Sequence, residues 1–267
     1  MEQRVGLAAG QLGRFVHRYH FYSYSGFPVG VSHAVPSRHL TVMISLGDPI
    51  TLCGSQSGSF GSFAAGLQTS PSKVVDHGAG RGVAIDVTPA GARALLGLPA
   101  SAIAGQVVDL GQLWGSRAGE LVERLASADG WNARLVVLDR FLLHGLSEAA
   151  DPHGAVASAW DQLAASAGMA RVGVLAERVG LSRRHLSGQF RAEYGVSPKQ
   201  AGRVFRFERA ANLLVGPVCP SLADTAASCG FFDQAHLTRE WQALAGMTPT
   251  EWLATESKDP VDEPYGR

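Results

Sequence analysis

Two clusters of side chains near the C-terminal end of this 267-residue chain have the chemistry needed to read base pairs. The first is Arg183, Arg184, Ser187 and Gly188; the second is Gln234, Ala235, Thr238 and Arg239. An arginine can bind guanine O6 and N7 together, and a glutamine can pair with adenine. Each such bidentate contact supplies about 1–3 kcal/mol of discrimination against the wrong base. Gly188 and Ala235 bring no side-chain hydrogen bond, so fewer bases can be read at those two positions. Ser182, His185, His236 and Arg206 are candidate phosphate contacts beside the clusters.

Such residues read bases only if rigid elements present them. Laying Ser182–Pro198 over Asp233–Pro249, at an offset of 51, matches His185 with His236 and Leu186 with Leu237. It also matches Phe190 with Trp241, Gly195 with Gly246, and Ser197-Pro198 with Thr248-Pro249. At the same offset Ala176 falls on Ala227. Each copy reads as a helix, a Gly-containing turn and a second, capped helix. In the first copy, Val172, Leu175, Ala176 and Val179 share a face, Gly180-Leu181-Ser182 makes the turn, and Leu186 and Phe190 are buried. A helix over 199–215 follows, with Val204, Phe207, Ala211 and Leu214 inward and Arg203, Arg206 and Arg209 outward. In the second copy Ser221 and Asp233 are the caps, and Leu222, Ala226, Leu237 and Trp241 face inward. The turn Cys229-Gly230-Phe231-Phe232 is one residue longer than its counterpart. Two such units in tandem can place two helices in two stretches of DNA major groove.

With these residues in view, 165–255 resembles the DNA-binding domain of the AraC family of bacterial transcription regulators. The resemblance rests on Leu175-Ala176, Ser182, Leu186, Phe190, Gly195, Ser197-Pro198, Arg206, Ala210 and Leu213-Leu214. It continues through Ala226, Gly230-Phe231, Asp233, His236-Leu237, Arg239, Gly246 and Thr248-Pro249. Trp241 stands where the family usually has Phe, a change expected to touch packing alone. The resemblance implies a unit of seven helices that reads two successive groove segments of promoter DNA. It also implies that Arg184, Ser187, Gly188, Gln234, Ala235, Thr238 and Arg239 face the duplex. In many relatives, as it further implies, a small molecule biases the arrangement of two subunits on DNA.

The remainder of the chain supports an α+β reading. A β-rich, sensor-like N-terminal domain with flanking helices precedes an all-α double helix-turn-helix domain. Residues 1–165 are expected to sense a ligand or mediate pairing, β-rich to about 110 and helical over 117–165. Residues 166–255 are expected to bind DNA, and 256–267 to form an acidic tail. Expected strands are 39–46, 49–53, 59–69, 73–75 and 82–87, with a helix from Thr88-Pro89 to Leu96. Leu121, Leu125, Leu135, Leu138, Leu142 and Leu143 recur at helical spacing. Composition is that of a folded protein, 46% hydrophobic and 17% charged with a formal net charge of zero. Lys and Arg nevertheless outnumber Asp and Glu ten to seven between Arg171 and Thr255. That bias is modest, so specific contacts must add to phosphate attraction.

Other chemistries find little support. Cys53, Cys219 and Cys229 form no CxxC pair, which fits a reducing compartment, and no apolar run is long enough to cross a bilayer. A cytoplasmic location is expected, with no membrane partner. His17, His20, His33, His39 and His77 lack carboxylate or Cys partners at a diagnostic spacing, so no metal is expected. Gly78-Ala79-Gly80-Arg81-Gly82 lacks the Lys-Ser/Thr ending of a phosphate loop and reads as a turn. Tyr19, Phe21, Tyr22, Tyr24 and Phe27 could line an apolar pocket, though sheet packing accounts for most of them. No catalytic residue or cofactor is expected. Two rival readings stay open: a DNA-binding homodimer indifferent to ligand, and an enzyme domain fused to a DNA-binding one.

Overall fold

The computed structural model describes residues 2–146 and 154–256. The expected tail, 256–267, lies almost wholly outside them. Among the described residues two compact units are resolved. One takes in 2–32, His39–Leu67 and 72–146; the other takes in His33–Arg38, Gln68–Pro71 and 154–256.

The first unit is built on strands β1 (Glu2–Gly6), β2 (Val16–Ser25), β3 (Gly30–Ala34), β4 (Leu40–Ser45) and β5 (Ile50–Cys53). They are followed by β6 (Gly58–Phe60), β7 (Ser62–Ala65), β8 (Ser72–Asp76), β9 (Ala79–Val87) and β10 (Val107–Asp109). One sheet has the order β1-β2-β9-β4-β7-β10 and the other β3-β8-β5-β6. Inward residues of the larger sheet, Leu40, Val42, Ile44, Val83, Ile85 and Val87, are almost completely buried. They alternate with less buried neighbours, as a half-covered sheet requires.

The longest described strand, β2, is not among the strands expected above, although it carries Tyr19, Phe21, Tyr22 and Tyr24, for most of which sheet packing was expected. Its alternation is broken by a register shift between Val16 and Arg18, after which Arg18 and Tyr19 are both buried. A buried Arg is tolerated because its Nε lies 2.9 Å from Asp86 Oδ2 on the paired strand β9. His20 Nε2 adds a contact to the same oxygen at 3.4 Å. Burial pushes the Asp86 carboxyl up, but hydrogen bonds from His20 and Arg18 outweigh it and hold the pKa at about 2. The expected turn at Gly78–Gly82 needs correction. Only Gly78 turns, at φ +84°, while Gly80, Arg81 and Gly82 lie inside β9. The expected strand at 59–69 is divided into β6 and β7 at Gly61.

Thr88 caps the helix predicted at 89–96, accepting from Gly91 N at 3.1 Å. The turn α1 (Pro89–Gly91) widens over Ala92–Leu96 and stops at Gly97, φ +74°. Helices α2 (Leu110–Trp114), α3 (Ser116–Ser127) and α4 (Gly130–Gly145) follow, α2 against β7, α4 against β2, and α3 packed on both helices. Leu121, Leu125, Leu138 and Leu142 are buried as the spacing predicts, but Leu143 is exposed. Tyr19 Oη donates to Asp139 Oδ1 at 2.8 Å and ties β2 to α4.

The second unit contains seven described helices: α5 (Gly154–Ala165), α6 (Val172–Arg178), α7 (Arg183–Tyr194), α8 (Pro198–Val215), α9 (Leu222–Ser228), α10 (Gln234–Ala245) and α11 (Pro249–Glu256). The boundary expected at 165/166 falls after α5, yet α5 packs with this unit. Trp160 of α5 stands 5.7 Å from Phe190, 4.5 Å from Tyr194 and 5.2 Å from Phe205, ring centre to ring centre. Helix α8 is shared by both halves of the unit. Phe205 faces Trp160, whereas Phe207, two residues on, meets Trp241 of α10 at 4.7 Å. A single helix therefore serves two aromatic cores.

Candidate nucleic-acid interface

The two copies are built from the same local devices. Gly180 and Gly230 each adopt φ +71°, the left-handed conformation that lets the chain reverse after α6 and after α9. Leu181 N then donates to Ala176 O at 2.9 Å, and Phe231 N to Ala226 O at 3.0 Å. Ala176 and Ala226 are both buried at the helix crossing. The structural equivalent of Ala176 is thus Ala226, and the expected match with exposed Ala227 is wrong by one residue. The reason is the extra residue in the second turn. Before it the copies are offset by 50, and after it by 51.

Helices α7 and α10 have twelve residues each. Ser182 Oγ accepts from His185 N at 3.2 Å, and Asp233 Oδ1 accepts from His236 N at 2.6 Å. Each cap satisfies an amide that the helix start leaves without an intrahelical partner. Both helices end at a left-handed glycine, Gly195 at φ +74° and Gly246 at +75°. Both exits are closed by reciprocal capping boxes. Ser197 pairs with Gln200, and Thr248 with Glu251. The Glu251 carboxyl, hydrogen-bonded by Thr248 N–H and hydroxyl, titrates below its ordinary value.

The outward faces carry most of the expected residues. On α7, Arg183, Arg184, His185 and Gly188 are exposed and Ser187 is half-buried. Ser182, Arg184, His185, Gly188, Gln189 and Ala192 line an open groove along this face, with a volume of about 480 Å3. Gln189 and Ala192 were not among the expected residues, although the four-residue step from His185 and Gly188 places them on the same stripe. On α10, Gln234, Ala235 and Arg239 are exposed, and His236 and Thr238 are half-buried.

Four side chains are committed within the unit. The Arg183 guanidinium lies against α6, where a Cβ on Gly173 would come within 2.6 Å of Nη2. Arg206 of α8 is half-buried with its guanidinium 5.5 Å from the Phe231 ring centre. Burial pulls its pKa below the ordinary Arg value. The Thr238 hydroxyl donates to Gln234 O of its own helix at 2.9 Å. His236 Nδ1 accepts from Phe232 N at 3.1 Å, so this ring braces the turn. Neighbouring Arg203 Nε lies 2.5 Å from Glu240 Oε2 and locks α8 to α10. Among the described residues no group of three or more His, Cys, Asp or Glu could hold a metal, and no helix is long and apolar enough to cross a membrane.

Comparison with known proteins agrees with this geometry. Residues 175–255 match the model of a helix-turn-helix domain family. No curated protein matches the chain. ToxT from Vibrio cholerae O395 superposes with a TM-score of 0.53 at 13% identity, covering 88% of this chain and 96% of that one. An unsaturated-fatty-acid-bound ToxT from V. cholerae strain SCE256 gives 0.54 at 10% identity, covering 88% and 94%. The DNA-binding domain of AdpA, in complex with a target DNA, is 25% identical and aligns over 42% of this chain and 99% of its own, with a TM-score of 0.37. The likeness to ToxT is one of fold, an α+β unit joined to a helical one. The matched segment runs from within α6 to α11 and takes in both turns with their capped helices, and by it this chain carries a helix-turn-helix domain.

Proposed function

We propose that the chain is a sequence-specific transcription regulator that lays α7 and α10 in successive major-groove segments of promoter DNA. The observation carrying this reading is the duplication itself: two helices of equal length, capped and terminated alike, braced on the shared helix α8. Arg184, Ser187, Gly188, Gln234, Ala235, Thr238 and Arg239 are assigned to base edges, with Arg183 at the margin. Ser182, His185, His236 and Arg206 are assigned to the phosphate side. Such a protein works where the chromosome is, which in a bacterium is the cytoplasm, and no catalytic step is assigned to it.

The first unit is proposed to bind a small-molecule effector. A cleft of about 510 Å3 opens between β1–β2 and the start of α4, lined by Arg4, Val5, Gly6, Phe21, Asp129, Gly130, Trp131, Asn132 and Leu135. Walls from Val5, Phe21, Trp131 and Leu135, with Arg4, Asp129 and Asn132 as polar groups, suit a molecule with an apolar body and a polar end. The ToxT structures bound to an unsaturated fatty acid and to a naphthalenyl butenoic acid support a regulated two-unit design. An effector shifts such a protein only through different affinity for two arrangements, for instance of a homodimer on DNA. The rival, a ligand-independent dimer, predicts that native mass spectrometry of the purified protein finds no bound small molecule.

The DNA reading is tested by selecting bound duplexes from a random pool with the full chain. Two recognition elements centred about 10 base pairs apart are expected. Failure to enrich any sequence would remove the proposal.

A further inference from the structure

We infer that Phe232 reads a thymine, its ring packing on the C5-methyl group at the leading end of the second reading helix. This rests on the DNA-binding reading above and adds a base contact that the first copy lacks. Phe232 is the additional residue of the second turn. Leu181 and Phe231 occupy equivalent places, each donating its amide to a buried alanine, and the chain then goes directly to Ser182 in one copy but through Phe232 to Asp233 in the other.

The two adjacent phenylalanines point opposite ways. Phe231 is 6% exposed and Phe232 is 91% exposed. That difference is built into the backbone. Phe231 N is held by Ala226 O at 3.0 Å, Phe232 N by His236 Nδ1 at 3.1 Å, and His236 N by Asp233 Oδ1 at 2.6 Å. The turn is thus fastened on both sides of Phe232, and its ring stands free beside exposed Gln234 and Ala235. A phenyl ring in water forgoes a large burial gain, and this one is set outward by a backbone fastened on both sides, so an apolar partner would recover that gain. The floor of the major groove offers one strongly apolar group, the thymine methyl. Neighbouring Ala235 has no polar side-chain atom and leaves the ring room to reach it.

The test uses the full chain and the duplex selected by the wild type. Each thymine is replaced in turn by deoxyuridine, which removes only the methyl group. At one thymine in the element read by α10, the replacement should weaken wild-type binding about three- to fivefold, the worth of one buried methyl. The same replacement should leave Phe232→Ala unaffected. Phe232→Ala should also lose its preference for thymine at that position in a fresh selection, and Phe232→Leu should keep most of it. An unchanged thermal melt is expected for both variants, because the side chain is exposed. Equal deoxyuridine effects in wild type and Phe232→Ala would overturn the inference while leaving the DNA-binding reading intact. So would a variant that binds DNA normally but no longer alters transcription, which would assign the ring to a protein partner. If the wild type enriches no sequence, the DNA-binding reading falls and this contact falls with it.

Discussion

Arg38 Nε lies 2.5 Å from Oε2 of Glu208, and the Glu208 side chain is only 2% exposed. The Arg38 amide donates to the other carboxylate oxygen at 2.7 Å, and its guanidinium sits 4.6 Å from the centre of the Phe205 ring. A segment far upstream in sequence thereby supplies the counter-charge for the shared helix of the DNA-binding unit.

Removing that counter-charge strands a buried carboxylate. Arg38→Ala should destabilise the second unit by about 3–5 kcal/mol at neutral pH, measured by urea unfolding. Burial already raises the Glu208 pKa, with Arg38 opposing it, so the variant raises it further. A carboxyl with a raised folded pKa takes up a proton on folding, and stability then falls as pH rises above the unfolded value. The deficit of Arg38→Ala should therefore shrink on acidification, and adding Glu208→Gln should recover most of it. A deficit independent of pH would show that Arg38 acts through packing on Phe205 alone.

Arg184→Ala and Arg239→Ala should each weaken binding to the selected duplex by about 1–3 kcal/mol. The thermal melt should not change, since both side chains are exposed. Arg183→Ala should do less, because its guanidinium already lies on α6 over Gly173. Fluorescence anisotropy titrations measure all three. Unchanged affinity in both of the first two would remove the groove assignment.

Asp233→Ala should cost about 1 kcal/mol of stability by uncovering the first amides of α10, and Asp233→Asn should restore it. The same change frees His236 and the turn it braces, so DNA affinity should fall as well. Chemical unfolding and duplex binding of the two variants provide the check.

The ion pair inside the sheet sets a different pH dependence. The Asp86 pKa is lowered from 3.8 to about 2, so its ionised form stabilises the folded unit above the unfolded value. This amounts to about 2 kcal/mol, lost as pH falls from 4 toward 2. Asp86→Asn should be destabilised by that order at pH 7, with the gap to wild type closing across the acid range in denaturant midpoints.

The helix-turn-helix copies were legible because their determinants are local. A cap reaches three residues, a turn glycine needs no distant partner, and the i, i+4 pairs Leu186/Phe190 and Leu237/Trp241 define a face. The same locality explains the error at Ala227. One inserted residue changes an alignment offset without changing residue types, and only the amide bonds of Leu181 and Phe231 show where it went. Strand β2 escaped because a buried Arg18 looks like a surface residue until Asp86 is found 68 positions away. Gly80 and Gly82 looked like a turn for a comparable reason: cross-strand pairing with β2 and β4 makes them extended.

Periodicity, caps and paired glycines alone thus specified two short capped helices and the residues exposed on them, since each depends on neighbours within one or two turns. Three-dimensional folding decided the rest: the order of the strands, the direction of Phe232, and the recruitment of His33–Arg38 and Gln68–Pro71 into the second unit. The strand order and the recruitment depend on contacts such as Arg38 with Glu208, across 170 residues of chain, whereas Phe232 is turned outward by bonds within five residues that residue types alone do not reveal. A local pattern carries no information about which distant charge will neutralise a buried one.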